Sequence, residues 1–112
     1  MTGRMLTAIQ QCASGPPAPA FPSQRACEAM VRVMRAQQAG SRRLPHFLDV
    51  PVAHKTGDFP PVLANDVGIA FARSGPIVIA FFANAIAGPY GEAEDRIGRI
   101  AQLIVHYFDG VR

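Results

Sequence analysis

The chain has 112 residues, of which 49% are hydrophobic and 17% are charged, and its net charge is +3. This composition is typical of one small globular domain and excludes a disordered chain or two domains with separate cores. The positive charge comes from arginines and a single lysine that are spread along the sequence, so nucleic-acid binding is not predicted. No stretch of about 18 apolar residues is present, so no membrane-spanning helix is predicted either.

The arginines are interpreted as solvent-exposed residues. Arg42 and Arg43 are adjacent, and Arg32 and Arg35 fall on a predicted helix, but neither pair extends into a basic run. We therefore expect surface side chains rather than a track that binds phosphates. The first residues also lack the apolar core of a signal peptide, so the sequence gives no prediction of localisation.

The two cysteines, Cys12 and Cys27, have no histidine or cysteine neighbours at the spacing of a zinc site. No metal site is therefore predicted. Two cysteines do not make a disulfide framework, so we interpret them as unpaired core residues, with a disulfide as the alternative in an oxidising compartment.

Two helices are predicted in the first third of the chain. The first, Arg4 to Ala13, is predicted from apolar residues at helical spacing, which are Met5, Leu6, Ile9 and Cys12. Ser23 is a suitable N-cap for a second helix from Gln24 to Ala39, and Gly40 suits its C-cap. The buried stripe of this second helix is predicted to be Cys27, Met30, Val31 and Met34.

Three strands are predicted in the middle of the chain. Residues 50–56 alternate as a strand that ends at Asp58-Phe59-Pro60-Pro61, and residues 67–71 alternate as a second strand. A hairpin turn at Arg73-Ser74-Gly75-Pro76 leads into residues 77–83, which are almost continuously apolar. That pattern predicts a third strand that is central in the sheet, or at least covered on both faces.

The last element is predicted to be a helix from Glu92 to Phe108, closed by Gly110. Its acidic first turn suits the positive end of a helix. Its apolar face is predicted to consist of Ala93, Ile97, Ile100, Ala101, Ile104 and Phe108. The order of two helices, three antiparallel strands and one helix predicts an α+β fold.

The motif Lys55-Thr56-Gly57 lies on the first strand, and Asn65-Asp66-Val67-Gly68 opens the second. Together with Arg43-Leu44-Pro45 and the following Val52-Ala53-His54, these segments resemble the C-terminal part of class A β-lactamases, within the penicillin-recognising serine hydrolases. The similarity runs from about Met5 to Tyr107. It implies a partial β-lactamase/transpeptidase-like fold, with the whole chain, residues 1–112, as a single partial domain. It also implies a sheet that gains strands and a helix from an N-terminal part, a parent that is periplasmic or secreted, and no cofactor.

The resemblance implies a role for each residue of the motif. Lys55 would hold a substrate carboxylate and assist proton transfer, and Thr56 would bind the same carboxylate through its hydroxyl. Gly57 would let the substrate approach the strand, and the backbone N–H of Asp58 would be one donor of an oxyanion hole. From the pattern alone, Lys55 is equally well explained as an exposed lysine on an edge strand. His54 has no visible partner and is interpreted as structural.

The serine nucleophile of this family is missing from the sequence. It stands in Ser-x-x-Lys, but the only lysine is Lys55 and the residue three positions before it is Val52. Ser-Asp-Asn is also absent, because the serines, Ser14, Ser23, Ser41 and Ser74, are followed by Gly, Gln, Arg and Gly. Glu28, on a helix, is not equivalent to the family's general base. The chain alone is therefore expected to be inactive.

Two functions remain open. The first is the C-terminal fragment of a serine hydrolase that opens β-lactams or related amides and esters through an acyl-serine intermediate. The parent could be a β-lactamase, a penicillin-binding peptidase or an esterase, and Asp58 could repel an anionic substrate. The second is a non-catalytic binding or self-assembling module. In either case we expect a homo-oligomer or a missing N-terminal part to cover the apolar surface.

Overall fold

The computed structural model describes residues 2–15, 21, 23–37 and 41–110, and the account below refers to these residues. Three helices and three strands follow one another in the predicted order. This confirms the α+β prediction. The elements are α1 (Thr2–Ser14), α2 (Gln24–Arg35), β1 (Val52–Phe59), β2 (Leu63–Ala72), β3 (Gly75–Ala83) and α3 (Tyr90–Gly110).

The three strands form one antiparallel sheet in the order β1-β2-β3. The prediction that the third strand is central is therefore wrong, because β2 occupies the centre and β3 lies at an edge. The apolar pattern of β3 has a different cause. Ile79 packs toward α3 on one face, whereas Val78 packs toward α1 on the other. The strand is therefore covered on both faces only around Val78 and Ile79, whereas Ala80 and Phe82 are exposed, and one of its edges is open within the described part of the chain.

Two hydrophobic clusters lie on opposite faces of this sheet. The larger one joins the sheet to α3 through Leu44, Val52, Ala64, Ala70, Ile79, Ile97, Ala101 and Val105. The smaller one joins it to α1 and α2 through Leu6, Ala53 and Ile69, with Val31 and Met34 packed against them. Neighbouring residues Val52 and Ala53 belong to different clusters, as the alternation of side chains along a strand requires.

The helices α1 and α2 are joined by a disulfide between Cys12 and Cys27, whose Cα atoms are 5.8 Å apart. The interpretation of both residues as unpaired core cysteines is therefore wrong. The Ser23 N-cap is confirmed, because its hydroxyl accepts a hydrogen bond from the N–H of Ala26 at 3.1 Å. Helix α2 ends at Arg35, earlier than predicted. The predicted C-cap, Gly40, lies outside the described residues.

Strand β1 continues further than the sequence predicted. Asp58 and Phe59 still pair with β2, and the turn begins only at Pro60. The N–H of Val62 then donates to Phe59 O at 3.0 Å, which closes the turn. The segment that was predicted to interrupt the strand therefore extends its pairing past Gly57.

Two glycines allow backbones to approach closely, Gly68 at β1 and Gly98 at the segment that precedes β1. A Cβ atom at Gly68, which pairs with His54, would lie 2.6 Å from Ala53 O. A Cβ atom at Gly98 on α3 would lie 2.8 Å from Arg43 O. Since real Cβ atoms do not come this close to a backbone oxygen, only glycine fits at either position.

Part of the predicted apolar faces is exposed. Ile97 and Ala101 of α3 are buried as predicted, but Ile100 and Phe108 are exposed, together with Leu103 and Tyr107. On α1, Met5 is exposed although it shares the helical spacing of the buried residues. The apolar face of α3 is therefore wider than the surface that this chain covers.

Candidate active-site wall

The motif residues lie together on the outer strand of the sheet. Lys55, Gly57 and Asp58 are exposed on β1, and Thr56 is half-buried. The Lys55 Nζ atom lies 2.6 Å from Thr56 O, to which it donates a hydrogen bond. Strand β1 pairs only with β2 among the described residues, so one of its edges is free.

One backbone hydrogen bond determines which groups of β1 point toward that free edge. The N–H of Phe71 donates to Pro51 O at 2.9 Å, just before the strand begins. Because hydrogen-bonded and outward-facing residues alternate in an antiparallel pair, residues 53, 55, 57 and 59 bond to β2. The N–H groups of Thr56 and Asp58 therefore face away from the sheet.

The side chain of Asp58 is paired with Arg43. One guanidinium N–H of Arg43 donates to the Asp58 carboxylate, and the two groups form an ion pair. Arg43 is only 2% exposed, so the prediction that it is a surface residue is wrong, whereas Arg42, Arg32 and Arg35 are exposed as predicted. The negative charge of Asp58 is thus compensated from inside the protein.

Arg43 also contacts β2 and α3. It donates to Asn65 O at 3.0 Å, to Glu94 Oε2 at 3.0 Å and to Tyr90 Oη at 3.1 Å. Burial alone lowers the pKa of the guanidinium, but the hydrogen bond and charge of Asp58, followed by the hydrogen bond to Glu94, outweigh this effect and raise the pKa. A buried cation thus ties the end of β1 to the neighbouring strand and helix.

Tyr90 completes this cluster. Its hydroxyl donates to Leu63 O at 2.7 Å, at the start of β2. Burial is the largest cause that raises the pKa of Tyr90; the charge of Arg43 opposes it, and the carboxylates of Asp58 and Glu94 add to it. The neutral phenol is therefore the form that this environment favours.

A second buried pair lies under the middle of β1. His54 Nδ1 is 2.8 Å from Asp66 Oδ1, and both side chains are buried. The other carboxylate oxygen, Asp66 Oδ2, accepts a hydrogen bond from the N–H of Leu44 at 3.1 Å. The expectation that His54 has no partner is therefore wrong. This pair links β1, β2 and the segment that precedes β1.

The sequence reasoning missed the Arg43 cluster because its members are far apart in the chain. Arg43 and Glu94 are 51 positions apart, and Arg43 and Asp58 are 15 apart. The signal that the sequence offered was Asp58, an acidic residue directly after the Lys55-Thr56-Gly57 motif, because a partly buried carboxylate needs a compensating cation. Asp66, by contrast, was noticed in the sequence, but its contact with His54 was not.

A groove away from Lys55 lies between β3 and α3. It has a volume of about 700 Å³ and is lined by β3 residues together with Ile100, Ile104 and Phe108 of α3. No group of three His, Cys, Asp or Glu side chains in the described ranges is arranged to hold a metal ion. Among the same residues, no helix is long and apolar enough to cross a membrane.

Several solved structures with the same fold are β-lactamases. One, a β-lactamase from Chitinophaga pinensis DSM 2588, matches 99% of this chain with 25% identity and a TM-score of 0.78, over 40% of its own length. A class A β-lactamase representative from Bacteroides cellulosilyticus DSM 14838 matches 97% of this chain with 21% identity and a TM-score of 0.82, again over 40% of its length. A β-lactamase from Sphaerobacter thermophilus DSM 20745 matches 96% with 22% identity and a TM-score of 0.78, over 38%.

The chain therefore spans about 40% of the length of these structures. No curated protein sequence matches it significantly. The sequence model of the β-lactamase enzyme family matches residues 3–108, which is nearly the whole chain. These findings confirm the predicted resemblance to part of a class A β-lactamase, and the chain belongs to the β-lactamase enzyme family.

Proposed function

We propose that this chain supplies the C-terminal, substrate-side wall of a class A β-lactamase-like acyl-transfer site. Lys55 and Thr56 would bind the carboxylate of a β-lactam or a related amide or ester, and Gly57 would leave room for it. The Asp58 N–H would donate to the oxyanion. No cofactor takes part in this proposal.

The observation that carries the proposal is the direction of the Asp58 N–H. It faces the free edge of β1 because the pairing with β2 alternates from Pro51 onward. A fixed N–H at the edge of a rigid strand can stabilise the negative charge that develops on a carbonyl oxygen during acyl transfer. The exposed ammonium of Lys55 lies on the same strand, three residues away.

The ion pair between Arg43 and Asp58 reduces the repulsion that the Asp58 carboxylate would exert on an anionic substrate. An unpaired carboxylate beside the motif would repel a β-lactam carboxylate. In this chain the guanidinium of Arg43 contacts that carboxylate directly. Arg43 also pairs with Glu94, so it offsets part of the charge of these two carboxylates, while Lys55 supplies an exposed positive charge on the same strand.

The proposed wall requires a nucleophile from elsewhere, since Ser-x-x-Lys is absent from the sequence. An N-terminal part of the same fold would supply it, with hydrolysis through an acyl-serine intermediate. A β-lactamase, a penicillin-binding peptidase and an esterase all fit the wall described here.

The proposal is tested by titrating the chain with benzylpenicillin while its backbone amide resonances are followed by NMR. We expect weak, reversible binding, with a dissociation constant of about 1 mM or above, because only one wall is present. The amides of residues 55–58 should shift. The Lys55→Ala variant should lose these shifts and Lys55→Arg should weaken them, since a planar guanidinium does not replace a compact ammonium.

The matched control is Arg42→Ala, which removes an exposed positive charge outside β1. This variant should bind as the wild type does. If the chemical shift changes persist in Lys55→Ala, or disappear equally in Arg42→Ala, the binding role of Lys55 is contradicted, and Lys55 is an exposed lysine on an edge strand.

The second candidate function is a non-catalytic binding module, which the missing nucleophile motif favours. It predicts no shifts at residues 55–58 with benzylpenicillin. The same titration therefore distinguishes the two functions.

A further inference from the structure

Asp58 places a carboxylate on the same face of β1 as Thr56. Residues two positions apart on a strand project from the same face, about 7 Å from each other. The residue that pairs with Asp58 on β2, Ala64, packs toward α3, so Asp58 faces α3 as well. Its side chain is 34% exposed and contacts Arg43. An acidic group that water can reach therefore lies next to the N–H that is proposed to bind the oxyanion.

The guanidinium of Arg43 does not balance the charge around Asp58. It carries one positive charge, but it forms ion pairs with both Asp58 and Glu94. The third side chain that it contacts is Tyr90, whose raised pKa favours the neutral phenol. One cation is thus shared between two carboxylates, and one negative charge remains unbalanced.

Two exposed residues at the first turn of α3 leave this excess unchanged. The guanidinium of Arg42 lies beside Gly91, where an added Cβ atom would be 3.9 Å from it. Glu92 belongs to the same turn, so the two residues contribute one positive and one negative charge. Lys55 lies on the other face of β1, because the side chains of a strand alternate. The candidate wall therefore carries a cation on one face and excess negative charge on the other.

We infer that Asp58 selects amide or ester substrates that carry a cationic group on the acyl side of the reacting carbonyl. The inference rests on the proposed function and specifies its substrate class. A penicillin carries its carboxylate on the nitrogen side of the reacting amide bond. With that carboxylate at Lys55 and Thr56 and the carbonyl oxygen at the Asp58 N–H, the acyl side extends beyond Asp58, away from Thr56. A cationic group on the acyl side therefore meets the Asp58 carboxylate.

The expected preference for such a substrate is small, because Asp58 is partly in water and already contacts a cation. A charge pair at a solvated surface changes an equilibrium constant by about threefold to fivefold. The preference should decrease as salt is added, since the screening length falls from about 30 Å at 0.01 M salt to about 10 Å at 0.1 M. An apolar contact would not weaken over this range of salt.

Benzylpenicillin and ampicillin provide a matched pair of ligands, because ampicillin differs only by an amino group on its acyl side. Each is titrated into the chain at low ionic strength and a pH of about 6, where an α-amino group carries a proton. The amide resonances of residues 55–58 report binding. We expect the dissociation constant for ampicillin to be about threefold to fivefold lower than that for benzylpenicillin.

Two substitutions test the source of the preference. Asp58→Asn removes the charge but keeps an oxygen that can accept a hydrogen bond from Arg43, so both ligands should bind with equal affinity. Glu94→Gln leaves the Arg43 cation to Asp58 alone, so the preference should be smaller than in the wild type. Asp49→Asn removes an exposed carboxylate before β1, and this matched control should keep the full preference.

Failure of the inference and failure of the proposed function give different results. Equal affinities for the two ligands in the wild type would overturn the inference, as would a full preference in Asp58→Asn or Glu94→Gln, or its loss in Asp49→Asn. In each of these cases, shifts at residues 55–58 would still support the candidate wall. If neither ligand shifts these residues, the proposed function fails and the inference fails with it.

Discussion

Arg43 connects parts of the chain that are distant in sequence. Its guanidinium reaches Asp58 at the end of β1, Asn65 O on β2, and Glu94 on α3. Each partner uses a different N–H direction, as the planar fork of an arginine allows. At the scale of single residues, this side chain holds the end of the candidate wall against the rest of the fold.

Replacement of Arg43 should therefore be costly. In Arg43→Met, the carboxylates of Asp58 and Glu94 lose their shared cation, and we expect the free energy of unfolding to fall by about 2–3 kcal/mol. The value is below that for a fully buried pair because Asp58 retains contact with solvent. Urea unfolding measures the change. Arg42→Met, at the exposed neighbouring position, should change stability by less than about 0.5 kcal/mol. Equal effects in the two variants would contradict the assigned role.

The raised pKa of Tyr90 predicts that the free energy of unfolding decreases at alkaline pH. Its pKa is raised in the folded chain, mainly by burial, so the folded state keeps the phenolic proton at pH values where the unfolded state loses it. This contribution is complete below a pH of about 10, the ordinary tyrosine pKa, and is lost as the pH rises toward the folded-state pKa. The free energy of unfolding, measured across this pH range, should fall less steeply with pH in Tyr90→Phe than in the wild type.

Single residues were the least predictable level of this structure. The motif residues Lys55 to Asp58 could be identified because they are adjacent in sequence. The burial of Arg43 and the pairing of His54 with Asp66 depend on contacts between distant segments, which periodicity does not report. Arginines are usually surface residues, and Arg43 differs because four acceptors surround its guanidinium.

The elements follow from local signals more directly. Ser23 caps α2 through its hydroxyl, and Gly75 with a φ of 123° provides the turn between β2 and β3. The position of a strand in the sheet did not follow from local signals. The apolar run of β3 predicted a strand that is central or at least covered on both faces, but β3 lies at an edge, with Ile79 buried and Phe82 exposed. The hydrophobicity of a strand's side chains does not indicate whether the backbone groups at its edges are hydrogen-bonded.

The disulfide sets the stability of the α1–α2 unit. Cys12 and Cys27 are 15 positions apart, and closing a loop of that length stabilises a fold by about 3 kcal/mol. We expect Cys12→Ala/Cys27→Ala to lose about this amount in thermal or urea unfolding. A reductant should lower the stability of the wild type and leave the double variant unchanged. Two titratable thiols in the native, unreduced chain would contradict the pairing.

In the described part of the chain, the molecule is a three-stranded sheet with helices on both faces. Strand β1, which carries the candidate wall, lies at one edge of this sheet, and β3 lies at the other. The fold class could be predicted because element order and family resemblance agree. The uncovered apolar face of α3 was not predicted at the level of individual residues, since Ile100 and Phe108 share the helical spacing of Ile97 and Ala101.

The central claim is that this chain presents a substrate-side wall without a nucleophile. Incubation with a labelled penicillin, followed by intact-mass spectrometry and by an assay with a chromogenic cephalosporin, tests it most directly. We predict an unmodified mass and no turnover above background, because an oxyanion donor without its nucleophile retains only a minor share of catalysis. Stoichiometric acylation at any of the four serines, Ser14, Ser23, Ser41 or Ser74, would contradict the account.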